Sequence, residues 1–314
     1  MMSSPSQTGG SAPASPLAAA HQLYATGFPH DAREPHLAGV LADTLSSPGS
    51  LTRLQLALIA GTALDLPDAS ARPFATALEY FHTASLLLDD LPCMDDATLR
   101  RGRPCAHVVH GEGATVLAAL GFINRGYRLI WAAMAAVPES RRDATARHVE
   151  RCLGTSGVLD GQSYDLHFSE TSGTPRAVAR VALGKTVSLL RLSLVTPALL
   201  AGAEPREKQL LDRISVAWGL AYQIADDCAD LSARASTGTT AGRDLAQGRP
   251  NYVLAAGREA AVARLARLLH LLTSSFDALV RRRPGWGAHR PLIQRFCAAA
   301  LARPAEHPPA MRCA

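Results

Sequence analysis

Lysine is nearly missing from this chain. In 314 residues it occurs twice, at Lys185 and Lys208, against thirty arginines. Arginine serves almost everywhere a cation is needed, so a retained lysine marks a position worth examining. Aromatic residues make up only 5% of the chain and the net charge is a modest +5. Without aromatic side chains interleaved among basic ones, a nucleic-acid partner is not expected, whereas a small anionic substrate suits the charge. No apolar run approaches the roughly 20 residues of a membrane-spanning helix. The six cysteines, Cys93, Cys105, Cys152, Cys228, Cys297 and Cys313, form no CxxC pair and have no histidine at metal spacing. That pattern argues against zinc and for reduced thiols in a cytoplasmic protein. Runs of alternating β-branched residues, internal repeats and an interdomain linker are also absent.

What is present is helical in pattern. Long Ala/Leu-rich segments such as "FATALEYFHTASLLLDDL", "RHVERCLGTSGVLDGQSYDL" and "KQLLDRISVAWGLAYQIADDCADL" carry apolar residues at three-and-four spacing. Pro- and Gly-containing connections such as "LPDASARP" separate them. The expectation is one all-α domain over residues 17–303, between a disordered arm (1–16) and a disordered tail (304–314). Helices apolar on most faces imply a single large bundle around a central cavity.

Two aspartate clusters stand at the ends of apolar helices. The first is Asp89-Asp90-x4-Asp95, followed by Arg100, Arg101 and Arg103; the second is Asp226-Asp227-x2-Asp230. On a helix, Asp226 and Asp230 share a face with Asp227 beside them. Pro92 interrupts the first helix, letting Asp95 return toward Asp89. Carboxylates this close repel strongly where water is scarce. A single cluster reads equally well as a solvated helix end. Two of them suggest a divalent cation held by hard oxygen ligands, Mg²⁺ with Mn²⁺ as a substitute, positioned to clamp a diphosphate.

With "DDLPCMDDATLRRGRPCAH" and "GLAYQIADDCADL" as its two aspartate-rich motifs, and "SGVLDGQSYDL" and "GKTVSLL" between them, the chain resembles the trans-isoprenyl diphosphate synthases (polyprenyl synthetases). The resemblance covers most of residues 45–255. It implies the isoprenoid-synthase all-α fold, usually as a homodimer. The implied reaction joins an allylic prenyl diphosphate to isopentenyl diphosphate. The allylic C–O bond ionises, the isopentenyl double bond attacks the cation, and a proton leaves, the released pyrophosphate taking it.

The same resemblance assigns roles to residues. Asp89, Asp95 and Asp226 match the Mg²⁺-binding carboxylates, with Asp90, Asp227 and Asp230 as their supporting partners. Arg100 matches the arginine for the allylic diphosphate. Lys185, Thr186 and Gln223 match residues around the departing phosphate and the cation. Arg53, His82 and Arg101 match contacts to isopentenyl diphosphate, and Asp244 and Arg249 belong to the substrate site after the second motif. A prenyl chain anchored at Asp89 would run down the preceding helix, past the small Ala84 and Ser85, to Phe81, the first bulky residue on that face. Eight residues place that floor about 12 Å below the metal site. The expected product is therefore a linear all-trans chain of fifteen to twenty carbons, with geranylgeranyl diphosphate favoured over farnesyl diphosphate.

Departures from the family pattern keep two other readings open. Ser50 stands where a lysine contact to isopentenyl diphosphate is expected, and Thr239 replaces another lysine. Each loss removes a charge-assisted hydrogen bond of about 1.5–3 kcal/mol. A class I terpene synthase acting on a single prenyl diphosphate would not need the isopentenyl site. A non-catalytic subunit of a heteromeric synthase would not need the metal site.

Overall fold

The computed structural model describes residues 16–170, 173–231 and 248–302. The expected disordered arm and tail lie outside these residues, except that Pro16 begins the first helix. Seven helices carry the chain to the middle of the bundle. They are α1 (Pro16–Thr26), α2 (Pro35–Ser46), α3 (Thr52–Ala63), α4 (Asp68–Asp89), α5 (Ala106–His110), α6 (Glu112–Ala135) and α7 (Glu139–Leu153). After these come α8 (Val158–Leu166), α9 (Pro175–Ala182), α10 (Ser188–Ala201), α11 (Pro205–Asp230), α12 (Tyr252–Ala256), α13 (Arg258–Arg282) and α14 (Arg290–Ala302). Among the described residues the strands are only two two-residue pieces, Leu99–Arg100 paired antiparallel with Arg103–Pro104.

The long helices α4, α6, α10 and α11 build the centre. On α10 nearly every residue from Ser188 to Leu200 is buried, as its all-round apolar sequence requires. Helix α4 packs against α6 over most of its length, where an aromatic cluster locks the two together. Phe28 and Phe122 have ring centroids 4.6 Å apart, Tyr24 and Tyr80 5.4 Å apart, and the Tyr80 hydroxyl donates to the Tyr24 carbonyl at 2.7 Å. Tyr80 thus belongs to this cluster and not to the face that carries Ser85 and Phe81.

Two segments that read as continuous helices are broken. Residues 147–166 divide into α7 and α8 at Gly154 and Gly157. The apolar stretch from Arg176 onward passes from α9 through a π-helical turn, Leu183–Val187, before α10. The turn sits where two backbones touch. A Cβ on Gly161 of α8 would lie 2.3 Å from the Lys185 amide nitrogen, so only glycine lets α8 approach. π-Turns concentrate at functional sites, and this one carries Lys185 and Thr186.

Candidate active site

The C-terminal ends of α4 and α11, the π turn and the segment entering α12 surround a cleft. Asp89 and Asp95 line it on one side and Asp226 on the other, with Lys185, Thr186, Gln223 and Arg249 between. Its charged groups come from helix ends, from the glycine-permitted π turn and from the loops that carry Asp95 and Arg249. Asp95 folds back because its amide donates to the Asp89 carbonyl at 2.9 Å, closing the loop around Pro92. Lys185 Nζ donates to Asp165 Oδ2 at 2.8 Å, and Arg249 donates to Asp95 Oδ1 at 2.8 Å and to the Met94 carbonyl at 3.0 Å. Gln223 Nε2 donates to Asp227 Oδ1 at 2.8 Å, and its Oε1 accepts from the Thr186 hydroxyl at 3.4 Å.

The electrostatics are those of a site with too much charge for its polarity. Burial pushes the Asp89 carboxyl up to about 6 despite the opposing pull of Lys185. Burial also works against the Lys185 charge, but Asp165, then Asp89 and Asp95, outweigh it and hold the ammonium above the usual lysine range. Asp230 Oδ2 is buried with no hydrogen-bond partner among the described residues. Three hard carboxylates lining one cleft, one of them costly to ionise, fit a divalent cation. Among the described residues no three acidic, histidine or cysteine side chains converge closely enough to hold an ion alone. An ion here would complete its shell with water and substrate phosphate oxygens, which is how Mg²⁺ is usually held.

Five of the six motif aspartates divide by orientation. Asp89, Asp95 and Asp226 face the cleft. Asp90 and Asp227 do not: both are almost fully buried. Asp90 takes the Arg100 guanidinium in a fork of three contacts at 2.6–2.9 Å. Asp227 takes Gln223 and the Tyr252 amide, the latter at 2.6 Å. Arg100 still borders the cleft, so the Asp90 fork presents it there in a fixed pose.

Leu86 and Arg100 also border a second basin on the other side of α4, an arginine-rich one that Asp43 and Asp90 border as well. His82, Arg101 and Arg103 line it, with Glu79 and Tyr24. Burial, then the Arg53, Arg101 and Arg100 guanidiniums, push His82 well below the usual histidine range, so its imidazole is neutral. Arg53 Nε is enclosed without a partner among the described residues. Leu51 and Arg101 hold left-handed backbone at φ 50 and 53, each costing roughly 1 kcal/mol, and such strain gathers at working sites. A Cβ on Gly49 would lie 2.2 Å from Arg101 Nη1, so this glycine makes room for the guanidinium. Ser50 is exposed and its hydroxyl is 2.7 Å from that of Thr52.

Glu79 was not singled out by the sequence reading. Only 5% exposed, it accepts the Leu54 amide at 3.1 Å and faces Arg53 and Arg101. A signal was available: an acid within an apolar helix, one turn before His82 on the same face, is rare unless compensated. Asp244 and Thr239 lie outside the described residues. Phe81 and Ala84 are buried, Phe81 with its ring 5.0 Å from that of Tyr127, and the Ser85 hydroxyl donates to the His82 carbonyl at 2.8 Å.

Known proteins give this geometry a context. The chain is 38% identical over 196 residues to a chloroplastic geranylfarnesyl diphosphate synthase of Leucosceptrum canum, covering 61% of this chain and 54% of that one. It is 32% identical over 236 residues to a geranylgeranyl diphosphate synthase of Pantoea ananas, covering 74% and 76%. The matches thus span from about half to three quarters of these relatives' lengths. In structure, a geranyltransferase of Legionella pneumophila superposes with a TM-score of 0.76 at 23% identity, covering 90% of this chain and 94% of that one. A Helicobacter pylori geranyltransferase, complexed with magnesium and isoprenyl diphosphate, gives 0.75 at 22%, covering 91% and 98%. These likenesses establish the all-α isoprenyl-synthase fold. The polyprenyl synthetase family model matches residues 34–280, and the chain belongs to that family.

Proposed function

We propose that this protein is a Mg²⁺-dependent prenyltransferase that condenses an allylic prenyl diphosphate with isopentenyl diphosphate to a linear all-trans product of fifteen to twenty carbons. The observation that carries this reading is the pair of adjoining basins. One presents carboxylates and a lysine, the other guanidiniums and a neutral histidine, and Arg100 borders both. A terpene synthase acting on one diphosphate has no use for the second basin.

Asp89, Asp95 and Asp226 would hold the metal, which when bound neutralises the oxygens of the allylic diphosphate. Lys185, fixed by Asp165, stabilises the charge that gathers on the leaving oxygen as the C–O bond breaks and its electron pair departs. The Thr186 hydroxyl and Gln223 amide border the same space and supply polar oxygens beside the allylic cation. Arg53, Arg101 and His82 hold isopentenyl diphosphate with its double bond toward that carbon. Its π electrons form the new C–C bond, and the proton lost from the adjacent carbon passes to the departing pyrophosphate. The names of the relatives, geranylgeranyl and geranylfarnesyl diphosphate synthases, support a long product.

A homodimer is part of this proposal. Leu117, Leu120, Tyr127 and Trp131 recur at helical spacing on α6 and are 57%, 54%, 37% and 61% exposed, an apolar stripe suited to a second copy. A cytoplasmic location rests on the scattered free thiols. Incubation with farnesyl diphosphate, isopentenyl diphosphate and Mg²⁺ tests the reaction. A longer diphosphate formed only when both substrates are present supports it, and a hydrocarbon or alcohol formed from farnesyl diphosphate alone overturns it. Phe81→Ala is expected to lengthen the main product and Ser85→Phe to shorten it, read by chromatography of the dephosphorylated alcohols.

A further inference from the structure

Helix α3 starts without a cap of its own. Its N-cap position is Leu51, held in left-handed backbone (φ 50, ψ 32), whose side chain has no oxygen to offer the first amides. The nearby polar side chains are engaged elsewhere. The Ser50 and Thr52 hydroxyls are 2.7 Å apart, and the Gln55 side-chain amide donates to the Ser50 carbonyl at 2.7 Å. The first intrahelical bond runs from the Gln55 amide to the Leu51 carbonyl at 2.9 Å, so the amides before it need partners from outside the helix. One partner comes from α4. Leu54 is the third residue of α3, where an N-cap oxygen ordinarily reaches, and its amide donates to Glu79 Oε2 at 3.1 Å. A carboxylate there also meets the positive end of the α3 dipole.

The turn held in this way carries Arg53. Glu79 lines the arginine-rich basin together with His82 and Thr83, one turn later on the same face of α4, and with Leu51. Arg53 and Arg101 are the guanidiniums whose charge it feels. A carboxylate beside an anion site repels the anion, and one only 5% exposed is costly to desolvate. The compensating gain is order: the start of α3, and Arg53 with it, is fixed against α4 before a ligand arrives, which lowers the cost of binding. We propose that Glu79 is a positioning residue of the basin, which caps α3 from α4 and thereby holds Arg53 where a diphosphate meets it, without touching that diphosphate itself. The identity of the ligand as isopentenyl diphosphate rests on the proposed reaction; the brace rests on the contact between α3 and α4 alone. Among the described residues none that lines the acidic cleft belongs to α3, so the effect is confined to the basin.

Two variants separate the acceptor from the charge. Glu79→Gln keeps an oxygen at the same reach and loses the charge, whereas Glu79→Asp keeps the charge and withdraws its oxygens by one methylene, about 1.5 Å. Circular dichroism checks the fold of each. Dissociation constants for isopentenyl diphosphate, and for pyrophosphate as a probe without a tail, are measured by titration calorimetry in EDTA, and exchange of the Leu54 amide is followed in deuterated solvent. Glu79→Gln is expected to bind both anions within threefold of wild type. Glu79→Asp is expected to bind both at least tenfold more weakly and to exchange the Leu54 amide at least tenfold faster. In steady-state assays Glu79→Asp should raise the KM for isopentenyl diphosphate at least tenfold while the allylic KM and kcat stay within threefold, a split that general loosening of the fold does not produce. A tenfold weakening in Glu79→Gln assigns the effect to charge and overturns the proposal by itself, even should Glu79→Asp fail to fold. Equal anion affinities in all three proteins, or an allylic KM that rises in step, also overturn it. The expected binding pattern in a protein that joins no prenyl chains overturns the proposed reaction and leaves the brace standing, so the two failures are distinguishable.

Discussion

The acidic cleft and the basic basin lie back to back on α4, sharing Leu86 and Arg100, yet they are prepared for anions in opposite ways. The cleft gathers carboxylates that a diphosphate would repel, and in the proposed function a bound cation makes it an anion site. The basin presents guanidiniums directly, with its buried carboxylates already engaged: Asp90 by Arg100, and Glu79 beside Arg53 and Arg101. Their protonation follows the same division. Burial raises Asp89 to about 6 and holds His82 far below its usual range. Burial produces the first shift against the opposing pull of Lys185, whereas burial and the nearby guanidiniums act together to produce the second. Under the proposed function, these two charge designs would hold two diphosphates by independent means, one through a metal and one without it.

The largest expected effect comes from breaking the cleft alone. Asp89→Ala or Asp226→Ala should lower turnover at least hundredfold with little change in melting temperature, checked by initial rates and calorimetry. Near-full activity in both variants would mean that the cleft is not a metal clamp.

A second prediction uses stability in place of activity. Without metal, the ionised Asp89 is a cost to the fold. Its folded pKa, about 6, lies above the ordinary 3.8. The folded state therefore binds more protons between these values, and stability falls as pH rises through them. Roughly two units correspond to about 3 kcal/mol. In EDTA at pH 7.5, Asp89→Asn should be about 2–3 kcal/mol more stable than wild type by chemical denaturation, with the gap closing as pH falls through 6 toward 4. A gap independent of pH would show that the carboxylate is already compensated.

Much of the cleft was legible in the sequence, because its chemistry sits at helix ends where spacing sets orientation. The placement of Asp89, Asp95 and Asp226 on one cleft followed from charge placed after apolar runs, and Lys185, which lines the same cleft, stood out by the scarcity of lysine. What spacing could not give was the direction of side chains across irregular backbone. Asp90 reaches Arg100 through a turn in which Asp96 and Arg101 hold left-handed φ, and no helical period encodes that return. The π turn at Leu183–Val187 was hidden because Leu183 and Val187 keep the apolar spacing of the flanking helices, whereas the break at Gly154-Thr155-Ser156-Gly157 carried a turn signal that the surrounding helical pattern overrode. Glu79 was missed for a related reason: its partners, Arg53 and the Leu54 amide, come from α3, and only packing brings them to α4.

The smallest expected effect sharpens the basin. Ser50→Lys restores a cation on an exposed loop residue, where a charged hydrogen bond contributes about 1.5 kcal/mol at most after solvent screening. The KM for isopentenyl diphosphate should fall up to about tenfold, with the allylic KM nearly unchanged. A rise, or an equal change in both, would place Ser50 away from that diphosphate.

The central claim, that one basin needs a metal and the other does not, is tested most directly by binding under chelation. The matched ligands are isopentenyl diphosphate and the unreactive thiolodiphosphate analogue of dimethylallyl diphosphate, each carrying five carbons and one diphosphate. Their dissociation constants would be measured by titration calorimetry in Mg²⁺ and again in EDTA. The expected result is that isopentenyl diphosphate changes by no more than about threefold while the allylic analogue weakens at least hundredfold. Loss of both on chelation, or of neither, would contradict the division between the two basins.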